Sequence, residues 1–214
     1  MDLYHMKMSG PCQAVRLVAK ALNLHLNLIN VDLGKEEQLK PEFIKINPQH
    51  VIPTLVDDGF ILWESRAILA YLCEKYAKED SLYPRHPQKR AVINQRLYFD
   101  MGTLYQRFAL HYYPQVLEGK PAPEGTFKQF EDALQFLETF LAQSKYLAGD
   151  SLTIADISLL ATITTFKVAA GLDLSRYGNI ERWYGLVSAS VAGHDEICVQ
   201  GSKQFAPFFI NAKQ

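Results

Sequence analysis

Ser9, Gly10, Pro11 and Cys12 form the string Ser-Gly-Pro-Cys, between an opening apolar run and a stretch with helical spacing. With cysteine in the first place this would be a redox dithiol. Serine there removes disulfide chemistry and leaves a hydroxyl at the start of a helix. That hydroxyl can cap the helix, the ordinary role of serine at such a place. Alternatively it can donate to an anion drawn to the helix N-terminus. If the anion is a thiolate, its thiol belongs to a ligand. One hydrogen bond to a charged group contributes roughly 1.5–3 kcal/mol. At about 1.4 kcal/mol per pH unit, this moves a thiol pKa down from near 8.5 by about one to two.

Two further groups suit a peptide-like ligand. In His-Val-Ile-Pro-Thr, residues 50–54, Pro53 precedes a strand-like run. The bland reading is a strand start. The sharper one is a cis peptide that turns the Ile52 N–H and C=O toward an extended ligand. Glu64-Ser65-Arg66 opens another helix. Glu-Ser is commonly capping, yet Ser65 and the helix N-terminus also suit a carboxylate while Glu64 suits an ammonium. An α-amino acid end presents both groups. Arg66 is placed to hold a carboxylate in position. Tyr105, Phe108, Tyr112 and Tyr113 cluster on one later helix, as core by default or as the wall of an apolar pocket. Cys12 reads as a packing residue.

The elements that carry these residues alternate over the first 80 positions. Asp2–Met6 is a strand, Pro11–Asn23 a helix with apolar Val15, Val18, Ala19 and Leu22, and Leu24–Asp32 an alternating strand. Pro41–Asn47 is a short helix. Thr54–Glu64 is a hairpin turning at Asp57-Asp58-Gly59, and Ser65–Tyr76 a helix. This order, βαβ then αββα, is a thioredoxin-like layout. Residues 78–90 read as a linker. No strand pattern follows. Ile93, Leu97, Met101, Leu104 and Phe108 keep helical spacing up to Pro114, which kinks or ends the helix. Phe127, Phe130, Leu134, Leu137 and Leu141 do the same. Thr153 and Asp156 have capping-box spacing, with Leu152 and Ile157 as a staple. The fold class is therefore α/β plus all-α: a thioredoxin-like domain over 1–77, a linker over 78–90 and an all-helical domain over 91–214.

Composition excludes several functions. The 214 residues are 48% hydrophobic and 21% charged, with net charge −1. That charge offers no basic footprint for nucleic acid or an anionic membrane. No apolar run approaches the roughly 20 residues of a membrane span, and no signal-peptide pattern opens the chain. Three scattered cysteines and six histidines show no metal-ligand spacing, which fits a reducing, cytoplasmic setting. No phosphate-binding glycine loop is present.

The strings SGPC, LKPEFIKINPQHVIPTLVDDGFILWESRAILAYL and SLYPRHPQKRAVINQRLYFDMGTLYQRF together resemble the cytosolic glutathione S-transferases, in particular the arthropod delta and epsilon classes and nearer delta. SLTIADISLLAT extends the likeness into the helical half. The resemblance implies a homodimer with glutathione as co-substrate and no resident cofactor or metal. It implies that Ser9 activates the glutathione thiol, and that His50 lies near the glycine carboxylate. Ile52 and Pro53 would clamp the cysteinyl part, and Glu64, Ser65 and Arg66 would hold the γ-glutamyl part with Asp100 in support. Tyr105, Phe108, Tyr113 and Leu117 would line the pocket for an apolar electrophile. Relatives usually carry Pro-Gly where this chain has Lys7-Met8, and often histidine where it has Gln38. The expected function is conjugation of glutathione to apolar electrophiles, in detoxification. The alternative is a non-catalytic carrier of glutathione or hydrophobic ligands on the same scaffold.

Overall fold

A single mixed sheet of four short strands forms the first half of the protein. In this computed structural model, which describes residues 1–211, the strands are β1 (Asp2–His5), β2 (Asn27–Asn30), β3 (Thr54–Asp57) and β4 (Phe60–Trp63), in the order β2-β1-β3-β4. β1 runs parallel to β2 and antiparallel to β3, and β3 runs antiparallel to β4. Asp58 and Gly59 join β3 to β4 with φ of 51° and 83°, the positive values that a tight hairpin turn demands. β2 is shorter than the alternation over 24–32 suggests. It pairs only with β1, at the sheet edge, and its Leu28 stays 42% exposed.

Helix α1 (Gly10–Ala21) follows β1 and buries Cys12, Val15, Leu17 and Val18. Pro11 sits in its first turn, where a missing N–H costs nothing. The short α2 (Pro41–Ile44) stops three residues before the expected end. Helix α3 (Ser65–Tyr76) packs beside α1 and buries Ile68, Leu69 and Leu72.

The remaining described elements are helical, apart from a single bridge between Tyr146 and Gly149. Helix α4 (Pro87–Phe99) begins within the expected 78–90 linker, because Pro87 again suits a first helical turn. It continues through a π-type turn, Asp100–Tyr105, into α5 (Gln106–Glu118). Pro114 lies inside α5 and does not end it; the helix closes at Gly119, with φ of 63°. Then come α6 (Thr126–Ala142), α7 (Ile154–Thr164), a π-type turn at Thr165–Ala169, and α8 (Gly178–Ser190). A third π-type turn, Asp195–Val199, leads into α9 (Gln200–Asn211). The last three residues of the expected 91–214 domain lie outside the described residues. No described helix is long and apolar enough to cross a membrane.

Helix α7 is buried along its whole length and packs against α1. Its start carries the expected capping box. The Thr153 N–H donates to Asp156 Oδ2 at 2.9 Å, and Asp156 Oδ1 also accepts from Leu147 N and Trp183 Nε1. Along α4 and the π-type turn that follows it, the expected apolar stripe is corrected at one place. Met101 is 38% exposed and Asp100 is fully buried instead. The reason lies in its partners. Asp100 accepts from Arg66 Nη2 at 2.7 Å, Ser158 Oγ at 2.6 Å and Thr162 Oγ1 at 2.8 Å. One carboxylate thus ties α3, the π-type turn and α7 together.

Removing one member of a buried, hydrogen-bonded ion pair costs about 3–5 kcal/mol, because the other charge is left unpaired. Arg66 is only 11% exposed in the pair with Asp100. Asp100→Ala is therefore expected to lower the unfolding free energy by about 3–5 kcal/mol in denaturant titration. A loss under about 1 kcal/mol, the size of an ordinary surface change, would show that the joint is not carried by this carboxylate.

Candidate active site

Strand direction brings the candidate residues together. β1 and β4 are each antiparallel to β3, so they run the same way. Each is followed by a helix, so α1 and α3 both start at one end of the sheet. β3 starts at that end too, with Thr54 opposite Tyr4 on one side and Trp63 on the other. Ser9, Ile52-Pro53 and Glu64-Ser65 therefore gather at one end of the strands, beside two helix N-termini.

Ser9 occupies the cap position of α1, half-buried, with φ −79° and ψ 115°. Its N–H donates to Met6 O at 3.1 Å and its carbonyl accepts the first helical bond, from Gln13 N at 2.9 Å. The hydroxyl caps no backbone N–H. The first-turn N–H groups of a helix lack intrahelical partners and carry a partial positive charge, so this hydroxyl stands where an anion is favoured. Cys12, within the first turn, is fully buried. Burial pushes its thiol up to about 11, against smaller opposing contributions from the Ser9 hydroxyl, the Met6 backbone and Arg16.

A buried asparagine shapes the segment that carries His50 and Ile52. Asn47 Nδ2 donates to Val51 O at 3.1 Å and to Thr54 Oγ1 at 2.9 Å, while its Oδ1 accepts from Gln49 N at 2.9 Å. In the sequence, Asn47-Pro48 reads only as a helix stop; its neighbourhood to Thr54 follows from the loop closing on itself. His50 is exposed, with φ of 45°. The Ile52–Pro53 peptide is cis. Gln38 is half-buried and its Oε1 has no partner.

At the second helix start, Glu64 is exposed and held at φ 68°, ψ 104°. A non-glycine residue there costs of order 1–3 kcal/mol and persists only where surroundings impose it. Ser65 is buried, and its Oγ accepts from Arg66 Nη1 at 3.0 Å. Arg66 thus grips Ser65 with one guanidinium nitrogen and Asp100 with another, and lies turned into the protein.

The expected pocket residues separate into layers. Tyr105 and Tyr113 are half-buried, their hydroxyls hydrogen-bonded to each other. Burial pushes both phenols above their ordinary value. Phe108 is fully buried. It stacks on Phe166 at 4.2 Å and lies against Tyr112, Phe130 and Phe209. Leu117 is 59% exposed near the end of α5. Aromatic residues of α9 extend these layers. Phe209 enters the core and Phe205 sits edge-on to Tyr113, 6.4 Å between centroids, while Phe208 stays exposed.

Comparison with known proteins decides the family. Residues 3–80 match the model of the glutathione S-transferase N-terminal domain, and residues 114–185 that of the C-terminal domain. The chain belongs to the glutathione S-transferase family. Among solved structures, a delta-class glutathione transferase of Nilaparvata lugens is 50% identical, with TM-score 0.94 and 99% of each chain covered. A glutathione transferase of Bombyx mori is 44% identical, with TM-score 0.93, over 97% of this chain and 96% of that one. An epsilon-class glutathione S-transferase of the housefly, Musca domestica, is 38% identical, with TM-score 0.91, over 99% and 97%. The chain is accordingly an enzyme of the glutathione S-transferase type, with a glutathione transferase function.

Its own cysteines are poor nucleophiles. Cys12, Cys73 and Cys198 are all free and buried. Burial raises the thiols of Cys73 and Cys198 to about 12 and that of Cys12 to about 11. All three stay protonated at pH 8. A thiol-reactive disulfide reagent at that pH is expected to titrate none of them in the native glutathione S-transferase and all three after unfolding. Cys12→Ala is expected to keep its conjugating activity. One fast-reacting thiol in the native protein would contradict this.

Proposed function

We propose that this enzyme conjugates glutathione to apolar electrophiles, with Ser9 holding the glutathione sulfur as a thiolate. The observation that carries the reading is the Ser9 hydroxyl, which stands at a helix N-terminus yet caps no backbone N–H. Glutathione lies across this end of the sheet in this reading. The Ile52 backbone pairs with its cysteinyl part, Glu64 and Ser65 take the ammonium and carboxylate of its γ-glutamyl end, and His50 lies near its glycine carboxylate. Arg66 and Asp100 keep Ser65 in place.

On binding, the thiol proton leaves to solvent. The Ser9 hydroxyl donates to the sulfur anion that remains. The thiolate then attacks an electrophilic carbon held against Tyr105 and Tyr113. The new C–S bond takes the sulfur electron pair, and the electrons of the broken bond go to the leaving group or the opened centre. The protein supplies thiolate population, proximity and a dry wall. We assign the reaction to detoxification in a reducing cytosol, which suits three unpaired cysteines. We also propose a homodimer. The exposed apolar side chains of Phe60 and Ile61 on β4, and of Val92, Tyr98 and Met101 from α4 onward, are what an interface would cover.

Two measurements test these assignments. In sedimentation, a species of twice the 24.3 kDa chain mass is expected at micromolar concentration; a stable monomer would refute the dimer. For the mechanism, Ser9→Ala removes a charge-assisted hydrogen bond of roughly 1.5–3 kcal/mol, about a 10- to 150-fold loss of kcat. The pKa of the bound glutathione thiol should rise by about one to two pH units, with the glutathione KM little changed. Unchanged kcat and an unchanged pH–rate profile would mean that another group activates the thiol.

A further inference from the structure

The backbone on both sides of Ser9 is pressed against the helical half of the protein, each time through a glycine. Gly10 follows Ser9. A Cβ added there would lie 3.0 Å from Thr165 Oγ1 and 3.7 Å from the Ala161 carbonyl oxygen. Gly201, in the first turn of α9, is tighter. A Cβ there would lie 2.5 Å from the Lys7 carbonyl oxygen and 2.6 Å from Gln13 Nε2. Real Cβ atoms do not approach backbone oxygen so closely, so only glycine permits this contact.

The Lys7 carbonyl is also held from below. Gln13, fully buried on α1, donates to it from Nε2 at 3.0 Å. The Lys7–Met8 loop, which departs from the family's usual Pro-Gly, is therefore fixed by contacts from outside the loop: Gln13 on one side and α9 on the other. Helix α9 itself packs on α5 and on the π-type turn Thr165–Ala169, and it carries Phe205 against Tyr113 and Phe209 against Phe108 and Tyr112. One helix thus touches the serine loop at its first turn and the aromatic side chains one to two turns later.

We propose that Gly201 is a positioning residue for the conjugation reaction: it seats the Lys7–Ser9 loop on α9 and so sets the thiol-activating hydroxyl and the aromatic wall relative to each other. The proposal rests on the assignment of Ser9 to thiol activation. Adding a methyl at Gly201 must push α9 and the loop apart. That displacement moves the Ser9 hydroxyl relative to the bound sulfur and moves Phe205 relative to Tyr113 at once. A merely structural glycine would lower all activities together and leave the thiol pKa alone.

The test uses the full chain with glutathione and three electrophiles of increasing bulk. Ultraviolet titration of the bound thiolate gives the thiol pKa, and relative kcat/KM gives selectivity. Gly201→Ala is expected to raise the thiol pKa by about half a pH unit or more, and to change the kcat/KM ratio of the smallest to the bulkiest electrophile at least about threefold. Gly185→Ala, where nothing lies within 4 Å of the added methyl, is expected to change neither. Gln13→Ala removes the amide that holds the Lys7 carbonyl without adding an atom, and is expected to shift both readouts in the same direction. It decides the matter if Gly201→Ala does not fold. If Ser9→Ala raises the thiol pKa while Gly201→Ala and Gln13→Ala leave pKa and selectivity unchanged, or lower every rate equally, the positioning role is refuted and the Ser9 assignment stands. If Ser9→Ala leaves the thiol pKa unchanged, the Ser9 assignment fails and this proposal fails with it.

Discussion

The Asp100 carboxylate organises this molecule. It is fully buried, and it accepts hydrogen bonds from Arg66, Ser158 and Thr162. A charge in such a place is tolerable only when its partners are all present. Those partners come from α3 and from α7, so the carboxylate can be satisfied only when the sheet half and the helical half are docked. The same Arg66 reaches Ser65 at the start of α3. The geometry of one edge of the candidate site therefore depends on a contact whose other end lies in the second domain. The fit between the halves is thus a condition for the site itself.

Much of this arrangement was legible in the residues because it is local. Ser9 and Pro11 mark the start of α1, Asp58-Gly59 marks the hairpin, and Ser65 marks the start of α3; each of these signals acts over a few residues. What was not legible depends on distant partners. Periodicity nominates Met101 for the core, since nothing local says that Ser158 and Thr162 will face that helix with hydroxyls. Asp100 was nominated only through family likeness. Asn47 looked like a helix stop because its hydrogen bonds to Val51 and Thr54 exist only once the loop has closed. Gly201 carries no turn signal, and its need for a missing side chain appears only when the Lys7 carbonyl is brought against it. Pro114 does not end its helix, which runs on to Glu118.

The two sides of the site are built on different physics. The side facing the strand ends uses backbone groups, helix N-termini and hydrogen bonds, which fix direction. The other side uses stacked rings. Phe108 touches Phe166, Phe130, Tyr112 and Phe209, and each such pair contributes roughly 0.5–1.5 kcal/mol beyond the area it buries. Ring packing fixes shape while tolerating varied contents. One half of the candidate site thus fixes direction and the other fixes shape. The mutual hydrogen bond of Tyr105 and Tyr113 satisfies the two phenols within that apolar wall.

The position of α9 has a consequence for local opening. Phe209 is a buried member of the aromatic core, and the first turn of the same helix rests on the Lys7 carbonyl through Gly201. When α9 lifts away, the core beside Phe108 has an open side where Phe209 belongs, and the serine loop loses a support at the same moment. Amide exchange in α9 and in the Lys7–Ser9 loop is therefore coupled, because one opening event frees both.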